Sequence, residues 1–254
     1  MTWDPGQYLK FAQPRLRPAL DLLAHIDLER AERVVDLGCG TGHITRLLAE
    51  RWPHAQVTGV DYAAEMLAHS EASSIRWVQA DLNRWQPSEP VDLIFSNAAL
   101  HWLANHGELF PRLLDALAPG GVLAVQVPRN FLAPSHTKIH ETVLAGPWRS
   151  KLEPLIVPPP VAEPQFYYSL LHRASSSLDI WETEYLHVLE GKDAVKEWTK
   201  GTWLARFLDA LEEPERSEFE ADYARRVAAA YPQQPDGKTL FPFRRLFIVA
   251  VKKR

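Results

Sequence analysis

The chain has 254 residues, 46% hydrophobic and 24% charged, with a formal net charge of −4 and a pI near 6.2. That suits one large domain with a sizeable core, and the slight acidity argues against the basic footprint that nucleic acid or an anionic membrane needs. Its one cysteine, Cys39, excludes an intrachain disulfide framework, and with no signal-peptide-like or membrane-spanning apolar run the expected location is the cytoplasm. Nine tryptophans and twenty prolines suit either an aromatic-lined pocket with stiff loops or a well-packed cap.

Residues 1–31 precede the first strand and read as an N-terminal lid and helix. Tyr8, Phe11, Leu16, Leu20 and Leu23 are interrupted by Pro14 and Pro18, which predicts a short helical piece and then a helix opening near Pro18 and running to about His25. The second part packs on a sheet. The first part either does the same or folds over a ligand, with Tyr8, Arg15 and Arg17 reaching inward.

The stretch Val34 to Gly42, VVDLGCGTG, follows. Its β-branched lead predicts a buried parallel strand, and Gly38, Gly40 and Gly42 a turn that a ligand approaches closely. Ile44, Leu47, Leu48 and Trp52 then recur at helical spacing. Strand, glycine loop and helix open a nucleotide-binding α/β fold. Read from Gly38, a G-x-G-x-x-G fingerprint meets His43 in its third place; read from Gly40 it meets Thr45. Both fail, and no Gly-Lys-Ser/Thr follows. The acid at the strand end, Asp36, repels a pyrophosphate and attracts a cation. With these residues, D-x-G-x-G-x-G resembles the first motif of the class I S-adenosylmethionine-dependent methyltransferases. The resemblance implies that Asp36 and the backbone of Gly38, Cys39 and Gly40 hold the cofactor's amino-acid end.

The second strand, AQVTGV, ends at Asp61, 19 positions after Gly42. An acid there can accept from both ribose hydroxyls or cap the following helix. Tyr62 and Met66 then fall near adenine or ribose. The third strand, SIRWVQA, leads to Asp81-Leu82; the resemblance implies that Asp81 accepts from the adenine amino group while the neighbouring Leu82 backbone contacts the ring. The fourth, VDLIFSN, ends in Ser96-Asn97-Ala98-Ala99. Enzymes of this class that methylate exocyclic or side-chain amide nitrogens carry an Asn/Asp-Pro-Pro-Tyr/Phe clamp at this place. Its absence, with His101-Trp102 following, is similar to small-molecule methyltransferases. Asn97 is assigned to the cofactor, and His101 either touches substrate or is a structural imidazole. A helix, ELFPRLLDAL, is expected to close on Gly120-Gly121 and turn into the fifth strand, VLAVQV.

From Pro128 to about Ser176 the alternation breaks: eight of the prolines fall here, with one helix near 135–144 and another at FYYSLLHRA. SLDIWETEYLHVL predicts the sixth strand. A mostly helical stretch at 192–231 comes next, and RLFIVAV closes the sheet as the seventh strand, which the resemblance places antiparallel between the fifth and sixth. The fold expected is therefore α/β, a doubly wound, mostly parallel seven-stranded sheet. Residues 1–254 form a single domain, with cap insertions at 128–176 and 190–245 supplying the substrate site.

A carboxylate nucleophile is ionised at neutral pH and needs no base, whereas a phenol or amine generally needs a base or a metal. The sequence offers no metal-ligand spacing. Arg15, Arg17, Arg129 and Arg206 lie near aromatics, where guanidinium forks can hold the carboxylates of a small polyacid; any single one is more readily a surface ion pair. End to end the chain resembles the trans-aconitate 2-methyltransferases: W-x-P-x-x-Y-x-x-F-x-x-x-R-x-R-P at the start, DLGCG-x-G, DLIF-x-NA-x-L-x-WL, N-x-L-x-P-x-H and W-x-T-x-Y within, R-L-F-I-V-A at the close. The resemblance implies methyl esterification of a small tricarboxylic acid, and by position Arg15, Arg17, His136 and Tyr168 fall on its patterned places; with Tyr8 of the N-terminal segment they are read as substrate contacts. One departure is visible. After Gly201-Thr202 that family runs Gly-Leu-Arg-Pro, and this chain has Trp203-Leu204-Ala205-Arg206. Trp203 fills space that glycine leaves open, and Arg206 is displaced by about 100° around a helix. The alternative acceptor is a hydroxyl or amine of a larger metabolite. The expected partner is a small molecule, with the protein a monomer or weak dimer.

Overall fold

The computed structural model describes residues 12–67 and 74–254, with side chains from Leu16 onward. β-branched and apolar runs form the strands: Arg33–Leu37 and Val91–Asn97, inside the sheet, are buried along most of their length, whereas the strand Ser175–Leu189 is largely exposed and alternates only toward its end. The strands are β1 (Arg33–Leu37), β2 (Gln56–Asp61), β3 (Ile75–Gln79), β4 (Val91–Asn97), β5 (Leu117–Pro128), β6 (Ser175–Leu189) and β7 (Thr239–Lys252). They form one seven-stranded sheet in the order β3-β2-β1-β4-β5-β7-β6. β1 pairs parallel with β2 and with β4, and β7 is antiparallel to β5. The strand order reverses at β1 and β4, so the crevice beyond Leu37 and Asn97 is where such sheets bind ligands.

The helices of the described chain are α1 (Ala12–Ala24), α2 (His43–Arg51), α3 (Ala64–Leu67), α4 (His106–Asp115), α5 (Pro134–Ala145), α6 (Arg149–Leu152), α7 (Pro164–Leu171), α8 (Ala194–Lys200), α9 (Ala205–Leu208) and α10 (Glu215–Ala230). In α4 the buried positions are His106, Leu109, Phe110, Leu113 and Leu114, one stripe at 3.6-residue spacing. Phe110 is fully buried and meets Tyr167 of α7 at 4.8 Å between ring centroids, a contact in the range of about 1.5–3 kcal/mol for the burial alone. The Tyr167 hydroxyl is held by His106 Nδ1 at 2.7 Å.

Two expectations are corrected. α1 opens at Ala12 and continues through Pro18. Pro14 lies in the first turn, where N–H groups have no helical partner, so Pro18 removes a single bond from a helix that burial of Pro18, Ala19 and Leu22 holds in place. Gly120-Gly121 does not end α4, which stops at Asp115 with the Ala116 N–H donating to Arg112 O. The glycines form a bulge in β5: Val91 pairs with Leu117 but Leu93 with Val122. Gly120 has φ +82°, and a Cβ on Gly121 would meet Val91 O at 3.0 Å, so both positions need glycine for the bulge.

The chain divides into two compact units. The sheet unit holds Arg17–Pro128, Pro160–Thr183 and Arg245–Arg254; the cap unit holds Arg129–Pro159 and Glu184–Arg244. Within the cap unit α5 and α10 lie against each other. Tyr223 OH donates to Ser135 O at 2.8 Å and Tyr231 OH accepts from Ser135 N at 3.2 Å. Buried hydroxyls thus find partners, as a polar group in an apolar interior must. His187, Trp198 and Phe241 form an aromatic cluster beside them.

In the sheet unit Trp77 lies across Gly59, its register partner on β2. A Cβ on Gly59 would come within 2.5 Å of the indole, and one on Gly42 within 2.3 Å. The ring thus braces strand β2 and the glycine loop together. Gly59→Ala is expected to cost about 1–3 kcal/mol of unfolding free energy by overpacking, and Trp77→Leu in the same chain to recover most of that increment. Urea denaturation of the four-member cycle measures it; additive losses would disprove the wedge.

Candidate active site

The glycine loop joins β1 to α2, and its three glycines differ in what they do. All have positive φ: 83° at Gly38, 53° at Gly40 and 76° at Gly42. Gly38 also meets Ala99, with a Cβ clash at 2.1 Å, while a Cβ at Gly40 meets nothing within 4 Å. The outer two glycines serve packing. The middle one has empty space where a Cβ would stand, although its N–H is bonded to Asp61.

Asp36 lies at the end of β1, 2% exposed, and accepts a 2.6 Å hydrogen bond from Thr45 Oγ1. Burial pushes its carboxyl up to about 7; the Thr45 bond pulls down and the charge of Asp61 pushes up. Cys39 Sγ is buried in the same loop, and burial, followed by the charges of Asp36 and Asp61, pushes its thiol up. Asp61 uses both oxygens: Oδ2 accepts from Gly40 N at 2.8 Å and Oδ1 from Ala63 N at 3.0 Å. It therefore ties β2 to the glycine loop and also caps the turn into α3. Each oxygen retains a further lone pair.

Tyr62 is exposed and Met66 half-buried beside Asp61. Asp81 Oδ1 accepts from the backbone N and the Nδ2 of Asn83 at 2.9 and 3.0 Å, and these two bonds hold its carboxyl below the ordinary carboxylate value. Leu82 next to it is buried. At the end of β4, Ser96 Oγ donates to Leu37 O at 2.7 Å, and Asn97 Oδ1 is buried without a partner among the described residues. Ala98 has φ +53°, a conformation costly for a residue with a Cβ and found where a fold holds a site in shape. His101 and Trp102 follow in a 3₁₀ turn, the imidazole buried and the indole half-exposed, 4.7 Å apart.

The other expected contacts fall in both units or outside the described residues. Tyr8 lies outside the described residues, as does the side chain of Arg15. Arg17 is in solvent, 4.0 Å from Asp21. Tyr168 is exposed on α7 and stacks on His172. In the cap unit the structure gathers His136 and Trp203 in one cleft of about 370 Å³, lined also by Phe131, His140, Val157 and Pro158. Arg206 lies over Trp203, 4.1 Å from the ring centroid, which replaces charge in open solvent with a cation–π contact. Burial lowers the Arg206 guanidinium from its ordinary value. Arg129 is half-buried, its N–H bonded to Arg244 O. His136 differs from a charged anchor: burial, with His140 beside it, lowers it to about 3, so at neutral pH it offers a hydrogen bond and no charge. Thr45 and Trp77 escaped notice in the sequence, because a threonine in a helix and a tryptophan in a strand announce no partner.

A parallel sheet with this switch point, a glycine loop with space at its middle and two acids at adjacent strand ends define a class I S-adenosylmethionine-dependent methyltransferase. Residues 34–121 match a family described as a methyltransferase domain. Over 253 residues the chain is 49% identical to the trans-aconitate 2-methyltransferase of Azoarcus sp., covering 99% of both chains. It is 46% identical over 256 residues to that of Rhizobium rhizogenes, covering all of each. The chain belongs to the trans-aconitate 2-methyltransferase family. Among solved structures, a putative methyltransferase from Bacillus halodurans superposes with TM-score 0.61 at 13% identity, over 94% of this chain and 100% of that one. Phosphoethanolamine N-methyltransferase 2 of Haemonchus contortus, in complex with S-adenosyl-L-methionine, superposes with TM-score 0.55 at 16% identity, over 94% of this chain and 53% of that one. At such identities the likeness is one of fold.

The residues present fit S-adenosylmethionine. The backbone at Gly40 leaves room, Asp61 keeps acceptor capacity for hydroxyls, the buried Asn97 Oδ1 awaits a donor, and the buried Asp36 carboxylate suits a cation. Among the described residues no group of three or more His, Cys, Asp or Glu could hold a metal ion, and no helix is long and apolar enough to cross a membrane.

Two measurements check this site. Asp36 has a raised pKa in the folded state, about 7 against 3.8. Its contribution is therefore complete below the unfolded value and lost as pH rises through about 7. Relative to Asp36→Asn, the wild-type protein without cofactor should lose up to about 4 kcal/mol between pH 4 and 8; a pH-independent difference in urea titrations would contradict it. Gly40→Ala should weaken S-adenosylhomocysteine binding at least ~10-fold while costing only about 1–2 kcal/mol of stability for its φ. Calorimetry giving unchanged affinity would remove Gly40 from the ligand contact.

Proposed function

We propose that the protein transfers a methyl group from S-adenosylmethionine to a carboxylate of a small polycarboxylic acid such as trans-aconitate, giving a methyl ester and S-adenosylhomocysteine. The observation that carries this reading is the end-to-end identity of 49% with a trans-aconitate 2-methyltransferase. The sequence Ser96-Asn97-Ala98-Ala99, with no proline clamp for an amide or base nitrogen, supports it.

In this reading Asp36 and the backbone of Gly38, Cys39 and Gly40 hold the cofactor's amino-acid end, and Asp61 its ribose. Tyr62, Met66, Asp81 and Leu82 surround its adenine, and Asn97 faces its reacting end. When bound, S-adenosylmethionine supplies a methyl group on a positively charged sulfur, which retains the electron pair of the broken bond. The acid needs no base, since its carboxylate is already ionised. The chain's work is to align the acid and exclude water from the reacting oxygen, effects worth up to roughly 7–11 kcal/mol together. Arg129 and Arg206 supply charge for the acid, His136 a neutral hydrogen bond, and Trp203 a wall. Arg17, His101, Trp102 and Tyr168 complete the contacts, with Arg15 and Tyr8 from the N-terminal segment. The setting is a cytoplasmic monomer or weak dimer.

A second reading places the nucleophile on a hydroxyl or amine of a larger metabolite. The mostly apolar cleft beside Trp203 supports it.

Labelled S-adenosylmethionine and a panel of di- and tricarboxylates separate the two. Esterification predicts a product that releases methanol in mild alkali, with trans-aconitate among the best acceptors. An alkali-stable product overturns it. Arg206→Gln is expected to raise the KM for the acid about 10-fold or more with a smaller change in kcat, as for loss of one charge-assisted hydrogen bond; an unchanged KM assigns Arg206 to packing on Trp203 alone.

A further inference from the structure

We infer that Gln126 and Arg245 form a carboxylate-binding pair for the methyl acceptor; this rests on the esterification reading above. The pair belongs to the sheet unit and was passed over in the sequence, where both residues read as members of strands.

The sheet register brings them to the site. Asp36 pairs with Phe95, Phe95 with Ala124 and Ala124 with Val249, which makes one row across β1, β4, β5 and β7. Side chains two residues apart on a strand share a face. Asn97, Gln126 and Phe247 form the next row, and Arg245 begins the row after that. Asn97, Gln126 and Arg245 therefore lie on the face that carries Asp36, displaced toward the C-terminal ends of the parallel strands by about 7 Å per row. That is the crevice side of the sheet.

Hydrogen bonding gives the pair its sign. Gln126 is 0% exposed and Arg245 4%. Arg245 Nη1 donates to Gln126 Oε1 at 3.4 Å, which fixes the carboxamide: turned over, it would set an NH2 against a guanidinium. Gln126 Nε2 then points away as a buried donor with no partner among the described residues. The guanidinium has other interactions as well, and its planar fork of five donors accommodates several partners. A fixed amide donor beside a guanidinium makes a donor-rich corner. Its natural complement is a group with two acceptor oxygens and a negative charge. Asp36 and Asp61, on β1 and β2, repel such a group while Arg245, on β7, attracts it, which orients an acid across the sheet.

The shared chemistry, a carboxylate, exists on both the acceptor and the cofactor, so the test separates them. Binding of trans-aconitate is measured by calorimetry with the enzyme saturated in S-adenosylhomocysteine, so that no turnover occurs. Binding of S-adenosylhomocysteine alone is measured in parallel. Gln126→Leu should weaken trans-aconitate by about 10-fold and Arg245→Gln by about 30-fold or more, with Arg245→Lys intermediate. S-adenosylhomocysteine should hold within about threefold in all three. Gln126→Leu keeps size and adds no charge, so it reads the contact even where Arg245→Gln fails to fold. The inference is overturned if Gln126→Leu and the folded Arg245 variants bind trans-aconitate like the wild type, or if S-adenosylhomocysteine weakens in step, which would mark a cofactor contact or a purely structural role. A wild-type protein that binds no acid of the panel overturns both this inference and the esterification reading.

Discussion

A carboxylate held out of water at the end of β1 is the constraint to which the rest of the sheet unit answers. Asp36 is buried, tied by one short bond to Thr45, and its charge is costly enough that its carboxyl titrates near neutrality. An acid in that state is a standing demand for a cation. It needs strands on both sides to exclude water, a helix start close enough to bring Thr45, and a loop without side chains in which a ligand can approach. β1 between β2 and β4, α2 following at once, and Gly40 open to space meet these conditions in turn. Asp61 adds a second function: by accepting from Gly40 N it holds the loop to the neighbouring strand while keeping acceptor capacity for hydroxyls.

What the sequence made legible was local. Strand, glycine loop, helix and the acid after β2 are read from contiguous residues, and their roles follow from charge and spacing. The β7 insertion between β5 and β6 came with the family resemblance, and the structure has it. What stayed hidden depends on partners distant in the chain. Gly120-Gly121 looks like a helix stop until its register with Val91 makes it a bulge. Gly59 and Gly42 look like a strand weakness and a turn until Trp77 is found against both. Pro18 looks like a helix start until burial carries the helix through it.

The substrate side was the least legible for the same reason. His136 stands on a patterned position, and its burial on α5, which makes the ring neutral, shows only in the structure. Arg206 lies on the face of Trp203, a setting that its position in the sequence does not reveal. A residue list cannot distinguish a guanidinium in solvent, one on an indole and one buried beside a glutamine. Arg17, Arg206 and Arg245 are one of each, and only burial and neighbours separate them.

The one thiol of the chain gives the loop a further property. Cys39 sits between two carboxylates, buried, its proton held more firmly than on an ordinary thiol. Thiolate is the form that oxidants and electrophiles attack, so the glycine loop presents little reactive sulfur although it carries a cysteine at its centre. The burial that raises the Asp36 carboxyl thus also shields the loop's sulfur.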